Sequence, residues 1–291
     1  MSYDLYFTAP RVSLEAFNSH FAGDIRYQLS SGEAIYQNQD TGVYFIFRYS
    51  NQETGDAEEE PGFATFNINY YRPHYFGLEA VQELTGFIEA FRCSVFDPQM
   101  HGMGEGPFSP EAFLRGWNHG NEFGYSAVLK GERPPGEVWH LPTDRLEAIW
   151  RWNYRIRESQ AALSEDVFIP RIFFIIVENR VASAAVWPDA ISEILPEVDI
   201  LLIGRDRLAP RRFFRGTQKD ECLLPFEDVR PILDPYRTSD FPINAFRLPS
   251  PITPQNLHDF IRSLKPSTAK LRGVSTDQVL NSEIVKKTTA T

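Results

Sequence analysis

Two runs of strict alternation, residues 43–49 (VYFIFRY) and 63–70 (FATFNINY), constrain this chain more than any other feature. Successive side chains on a strand point to opposite faces, so Val43, Phe45 and Phe47 share one face while Tyr44, Ile46 and Arg48 share the other. In the second run Phe63, Thr65, Asn67 and Asn69 stand opposite Ala64, Phe66, Ile68 and Tyr70. A helix would scatter these aromatics around its circumference, whereas a sheet gathers them onto one buried side. The preceding NQDTG reads as a hairpin loop from a short strand at 34–37. Between the two runs lies an acidic loop carrying Glu53, Asp56, Glu58, Glu59 and Glu60.

The period changes on either side of this sheet. Residues 3–8 alternate as a strand, and Ser13 can cap a helix through Leu14, Phe17 and Phe21 that stops at Gly23. Residues 25–29 give another short strand. From residue 77, Leu78, Val81, Leu84, Ile88 and Phe91 recur at helical spacing before a brief strand at 93–96. The order β, α, several β, α, β predicts an α+β fold, with antiparallel sheets and helices packed on one face, in a layer resembling ferredoxin-like arrangements.

Further along, a helix is expected from Pro110 through Trp117, and GERPPGE reads as a linker. Thr143 or Asp144 then caps a long helix through Trp150, Trp152 and Ile156. Strands follow at 171–178, 181–187 and 199–204, the first two joined by a two-residue turn at Asn179-Arg180. Helices at 226–233 and 253–264 complete the pattern, with Pro254 in the first turn of the latter. The expected organisation is two similar-sized modules, 1–130 and 137–264, joined by a linker at 131–136 and trailed by a loosely packed polar tail, 265–291.

Charge separates the halves. Residues 1–142 hold 8 Lys+Arg against 19 Asp+Glu, a net of −11, and residues 143–291 hold 21 against 20, a net of +1. An acidic surface repels phosphate backbones and attracts basic proteins, which makes nucleic acid a poor partner. No apolar run is long enough to span a bilayer, and the acid at Asp4 with no apolar stretch after it argues against a secretory leader. A cytoplasmic address with no membrane partner is therefore expected. Cys93 and Cys222 are too few for a disulfide framework.

Catalytic patterns are weak throughout. Asp40-Thr41-Gly42 matches the short aspartic-protease signature, but polar residues lead into it, so it reads as a turn with Gly42 at positive φ and Asp40 accepting local backbone hydrogen bonds. His101, His119, Glu122 and His140 share a loop-rich region without any metal-ligand spacing, and they read as capping and packing around Trp117 and Trp139. The basic-aromatic run at 210–215 (PRRFFR) reads as a salt-bridging segment rather than a nucleic-acid strip. No nucleophile elbow or phosphate loop occurs. The chain reads as a non-enzyme without metal or cofactor. Its expected partner contacts are the acidic loop, Glu53, Asp56, Glu58, Glu59 and Glu60, for electrostatic steering, and the adjacent aromatics Tyr70, Tyr71, Tyr75 and Phe76 for specificity.

The opening MSYDLYF, the hairpin QDTGVYFIF and the segment FNINYYRPHYFGLEA resemble the immunity-protein-like family of bacterial polymorphic and type VI-secreted toxins, over residues 1–95. The resemblance implies a cytoplasmic inhibitor that binds a cognate antibacterial toxin with a basic surface, for which a nuclease effector is the obvious case, and occludes its active-site cleft. Two other readings stay open. One is a metal-dependent small-molecule hydrolase, and the other is a secretion adaptor or chaperone.

Overall fold

The structure, a computed structural model, describes residues 1–50, 62–163, 167–212, 216–217 and 219–290. The class is α+β. The chain divides into two compact units, residues 1–146 together with 277–291, and residues 147–276.

The first unit opens with β1 (Ser2–Thr8) and α1 (Leu14–Phe21). The Ser13 hydroxyl caps α1 by accepting from the Ala16 N–H at 3.1 Å, and Gly23 leaves the helix end at φ 93°. A meander follows through β2 (Tyr27–Ser30), β3 (Glu33–Gln37), β4 (Tyr44–Tyr49) and β5 (Ala64–Asn69). After α2 (Tyr75–Phe91) come β6 (Ser94–Phe96), β7 (Glu105–Gly106) and α3 (Pro110–Leu129). The seven strands lie in the order β2-β3-β4-β5-β1-β6-β7, every neighbouring pair antiparallel. This is larger than a ferredoxin-like layer, because β2 to β5 pair in sequence before β5 meets β1.

All three helices cover one face. Phe87 of α2 packs on Phe7 and Phe47 with ring centroids 4.9 and 4.8 Å apart, Phe21 of α1 lies 5.1 Å from Phe47, and Phe113 of α3 meets Phe66 edge-on. The face holding Tyr3, Leu5, Phe7, Phe45 and Phe47 is buried, as the alternation requires.

Next come β8 (Trp139–Leu141) and α4 (Thr143–Ala161), within which the boundary between units falls. The second unit continues with β9 (Phe173–Val177), β10 (Arg180–Val186), β11 (Ile194–Pro196) and β12 (Ile200–Arg205). It goes on through β13 (Arg211–Arg212), β14 (Gly216–Thr217), β15 (Asp220–Pro225) and α5 (Phe226–Leu233). The unit ends with β16 (Arg237–Thr238), β17 (Ala245–Arg247), α6 (Gln255–Ser263) and β18 (Arg272–Val274). Its main sheet has the order β15-β12-β10-β9-β18, antiparallel except for the parallel pair β10 and β12. Asn153 docks α4 by pairing with the backbone of Ile172, donating to its carbonyl at 2.8 Å and accepting its N–H at 2.9 Å. The β9–β10 turn is Glu178-Asn179, at φ 48° and 60°, rather than Asn179-Arg180. Two positive φ values match the right-handed twist of the hairpin, and Arg180 is already paired with Val177.

The expected tail is the largest departure. β19 (Val279–Asn281) pairs in parallel with β8, and α7 (Ser282–Thr289) packs on α3, where Tyr125, Leu280 and Val285 form a small core. Residues 277–291 thus complete the first unit. The expected linker at 131–136 is an exposed connection inside that unit, and 137–146 belong to it as well. A polar composition concealed this, since Leu280 and Val285, with Ile284 beside them, are what this segment places against Tyr125.

Candidate functional site

The acidic residues expected to steer a partner, Glu53, Asp56, Glu58, Glu59 and Glu60, lie outside the described residues. Their stretch of chain joins β4 to β5, whose ends are tied by the Ser50 N–H donating to the Phe63 carbonyl at 2.8 Å. The four aromatics expected beside them are placed otherwise than a docking role requires. Tyr75 and Phe76 are 2% and 0% exposed, and Tyr70 is buried at 9%. Tyr70 stacks on Trp117 at 5.6 Å and lies against Gly120 of α3, where an added Cβ would come within 2.1 Å of its ring. Only Tyr71 is half-exposed, and it packs edge-on against Tyr125. These aromatics hold the first unit together, because the β5 alternation points Tyr70 inward and α2 begins by turning Tyr75 and Phe76 into the core.

The side chains of this sheet that do reach the surface come from its opposite face. Tyr6, Ile35, Tyr44 and Ile46 are half-buried there, with Asp4, Glu33, Arg48 and Asn67 among them. Two cross-strand pairs order this face. The Arg48 Nε donates to Glu33 at 2.8 Å across β3 and β4, and the Asn67 amide donates to Asp4 across β5 and β1. Alternation had already assigned Tyr44, Ile46 and Arg48 to this side, so the signal for it was present.

Beneath the hairpin lies a buried polar cluster. The Glu79 carboxylate, 0% exposed on α2, accepts at one oxygen from the Tyr36 hydroxyl (2.7 Å), the Asn38 amide (2.8 Å) and the Thr41 hydroxyl (3.1 Å). Asn38 also accepts the Asp40 N–H, and Gly42 stands at φ 75°. The Asp-Thr-Gly sequence is accordingly a turn, locked to α2 through Thr41 with the Asn38 amide as the acceptor for the Asp40 N–H. Glu83, one helical turn on, accepts from Tyr27 at 2.9 Å and pairs with Arg26 at 3.1 Å. Burial holds the Glu83 carboxyl above its ordinary range and the Tyr36 phenol far above its own. These groups bond one another and fix the hairpin to the helix, which is a positioning role.

A second hub ties the returning segment 277–291 to the rest of the first unit. The Asn281 side chain accepts the His74 N–H at 2.9 Å and donates to His74 Nδ1 and to the Thr143 hydroxyl at 2.7 and 2.9 Å. Because the Asn281 amide nitrogen donates, His74 Nδ1 is the acceptor. The Thr143 hydroxyl donates in turn to Glu283 at 2.6 Å, and these hydrogen bonds hold the Glu283 carboxyl below its ordinary range against the opposing effect of burial.

In the second unit a cleft of about 480 Å³ opens beyond the ends of β10 and β12, bordered by Asp189, Asp206, Lys219, Asp220 and Glu221. Its charges are largely committed. Asp189 accepts the N–H groups of Asp206, Arg207 and Leu208, which keep its carboxyl low despite desolvation. The buried Arg205 forks onto Asp220 and donates to the Ile261 and Leu264 carbonyls. The rings of His101 and His119 lie tilted against each other with centroids 4.1 Å apart, and His140 lies in β8. No group of three or more His, Cys, Asp or Glu among the described residues is arranged to hold a metal ion. Nor is any helix among them long and apolar enough to cross a membrane. No family model, curated protein or solved structure matches the chain.

Proposed function

We propose that the chain is a protein-binding inhibitor of the immunity type, whose first unit engages a basic toxin and covers its active-site cleft, a nuclease being the fitting case. One observation carries this reading, namely that the charge asymmetry follows the division of the fold. The first unit has 11 Lys+Arg against 22 Asp+Glu, a net of −11, and the second has 18 against 17, a net of +1. A field concentrated on one compact body raises encounter rates with a basic surface by about 10- to 1000-fold and falls with ionic strength. The segment bearing Glu53, Asp56, Glu58, Glu59 and Glu60 supplies steering. The sheet face bearing Tyr6, Ile35, Tyr44 and Ile46 supplies contact area in place of the buried aromatics.

The test is co-expression with a toxin-domain protein encoded beside this gene. Rescue of growth, together with a stoichiometric complex whose association slows as salt rises, is the expected result. Neutralising the acids at 53–60 should slow association at least about tenfold. An unchanged association rate after that neutralisation would overturn the steering role. Failure to bind or rescue would overturn the inhibitor reading itself.

A further inference from the structure

The acidic first unit carries a local exception to its own charge. Its three lysines are Lys130, Lys286 and Lys287, and two of them, Lys130 and Lys287, border one groove between α3 and α7. Lys130 and Lys287 line the groove, which has a volume of about 330 Å³, and Lys286 precedes Lys287 on α7. Helix C-termini attract cations, so these positions alone would be explained by the ends of α3 and α7. Phe123 is not explained that way. It lies on the groove at 63% exposure, while Gly120 and Gly124 on the same helix are buried against Tyr70. Ile284, half-buried across the groove, continues the apolar floor.

Surface charges interact over about 8 Å at physiological salt, so Lys130 and Lys287, set against the single lining acid Glu122, leave the groove locally cationic even though the unit as a whole is negative. The pair that bridges the groove, Lys287 to Glu122 at 2.7 Å, is 70% and 46% exposed and can exchange its carboxylate for another. We propose that this groove docks an acidic amphipathic segment of a partner protein, with carboxylates toward Lys130 and Lys287 and an apolar side chain against Phe123 and Ile284. This surface is separate from the one assigned to the basic toxin and does not depend on it.

The probe is a short synthetic peptide with Leu and Phe at helical spacing and Glu elsewhere, beside a second peptide in which every Glu is Lys. Titrated into the ¹⁵N-labelled full chain, the acidic peptide should shift amide resonances of residues 119–130 and 284–288, and the basic one should not. Phe123→Ala and Lys130→Glu change only exposed side chains, so both variants should keep the parent spectrum. Each should weaken binding about tenfold or more. Equal shifts from both peptides, no shifts at these residues, or unchanged affinity in both variants would overturn the proposal. Co-sedimentation with phosphatidylserine vesicles, abolished by Phe123→Ala in a chain that ignores the acidic peptide, would assign the groove to an anionic lipid surface and overturn it likewise.

Discussion

At the scale of single residues, Glu193 stands apart. It is fully buried in the second unit, neither carboxylate oxygen has a hydrogen-bond partner among the described residues, and burial pushes its carboxyl well above the ordinary 4.5. A carboxyl raised in this way holds its proton more tightly when folded. Its contribution to stability is complete below the unfolded value and is lost as pH rises toward the folded one. Glu193→Met should therefore stabilise the second unit by about 1–4 kcal/mol near pH 8, with a smaller gain near pH 4. Thermal unfolding across that range checks it, and a gain independent of pH would contradict the assignment. No pattern in the sequence marks this glutamate, since SEILPEV gives no sign of which side chains close over it.

Among elements, α3 shows how a side chain's role can be hidden. Gly116, Gly120 and Gly124 recur every fourth residue and form one stripe, into which Tyr3 and Tyr70 pack; a Cβ on Gly116 would fall 2.2 Å from the Tyr3 hydroxyl. That spacing was readable as a stripe of small residues open to close packing, and only the assembled fold shows that Tyr3 and Tyr70 fill it. Gly120→Ala should cost about 1–3 kcal/mol through overpacking, measured by denaturant unfolding, whereas Gly86→Ala, where a Cβ meets nothing within 4 Å, should not destabilise. The C-terminal strand and helix make the second case. Deleting residues 277–291 uncovers Tyr125 and removes the Asn281 hub, so the first unit should lose its cooperative unfolding transition and become open to limited proteolysis. A truncated chain with that transition intact would restore the loosely packed tail expected from composition.

For the whole molecule, the −11 of the first unit has an energetic consequence beyond binding. Like charges gathered on one compact body repel one another, and salt screens them. Raising ionic strength from about 0.02 to about 0.5 M should lift the melting temperature of the first unit by a few degrees more than that of the near-neutral second unit. Differential scanning calorimetry resolves the comparison, and equal shifts would mean that the excess charge is already dispersed or paired.

The alternating runs, the helix at 75–91 and the Ser13 cap could be read directly, because they rest on contacts within a few residues. The α+β class and the antiparallel pairing around β4 and β5 followed from them. Charge segregation was legible too, being a property of composition. What the tertiary structure alone decided was closure: that residues 277–291 return to complete the first unit, and that Tyr70, Tyr75 and Phe76 face a core. Both depend on partners far away in the chain, Asn281 with His74 and Thr143, and Tyr70 with Gly120. Local periodicity says which face of an element is apolar, and only the assembled fold says what covers it.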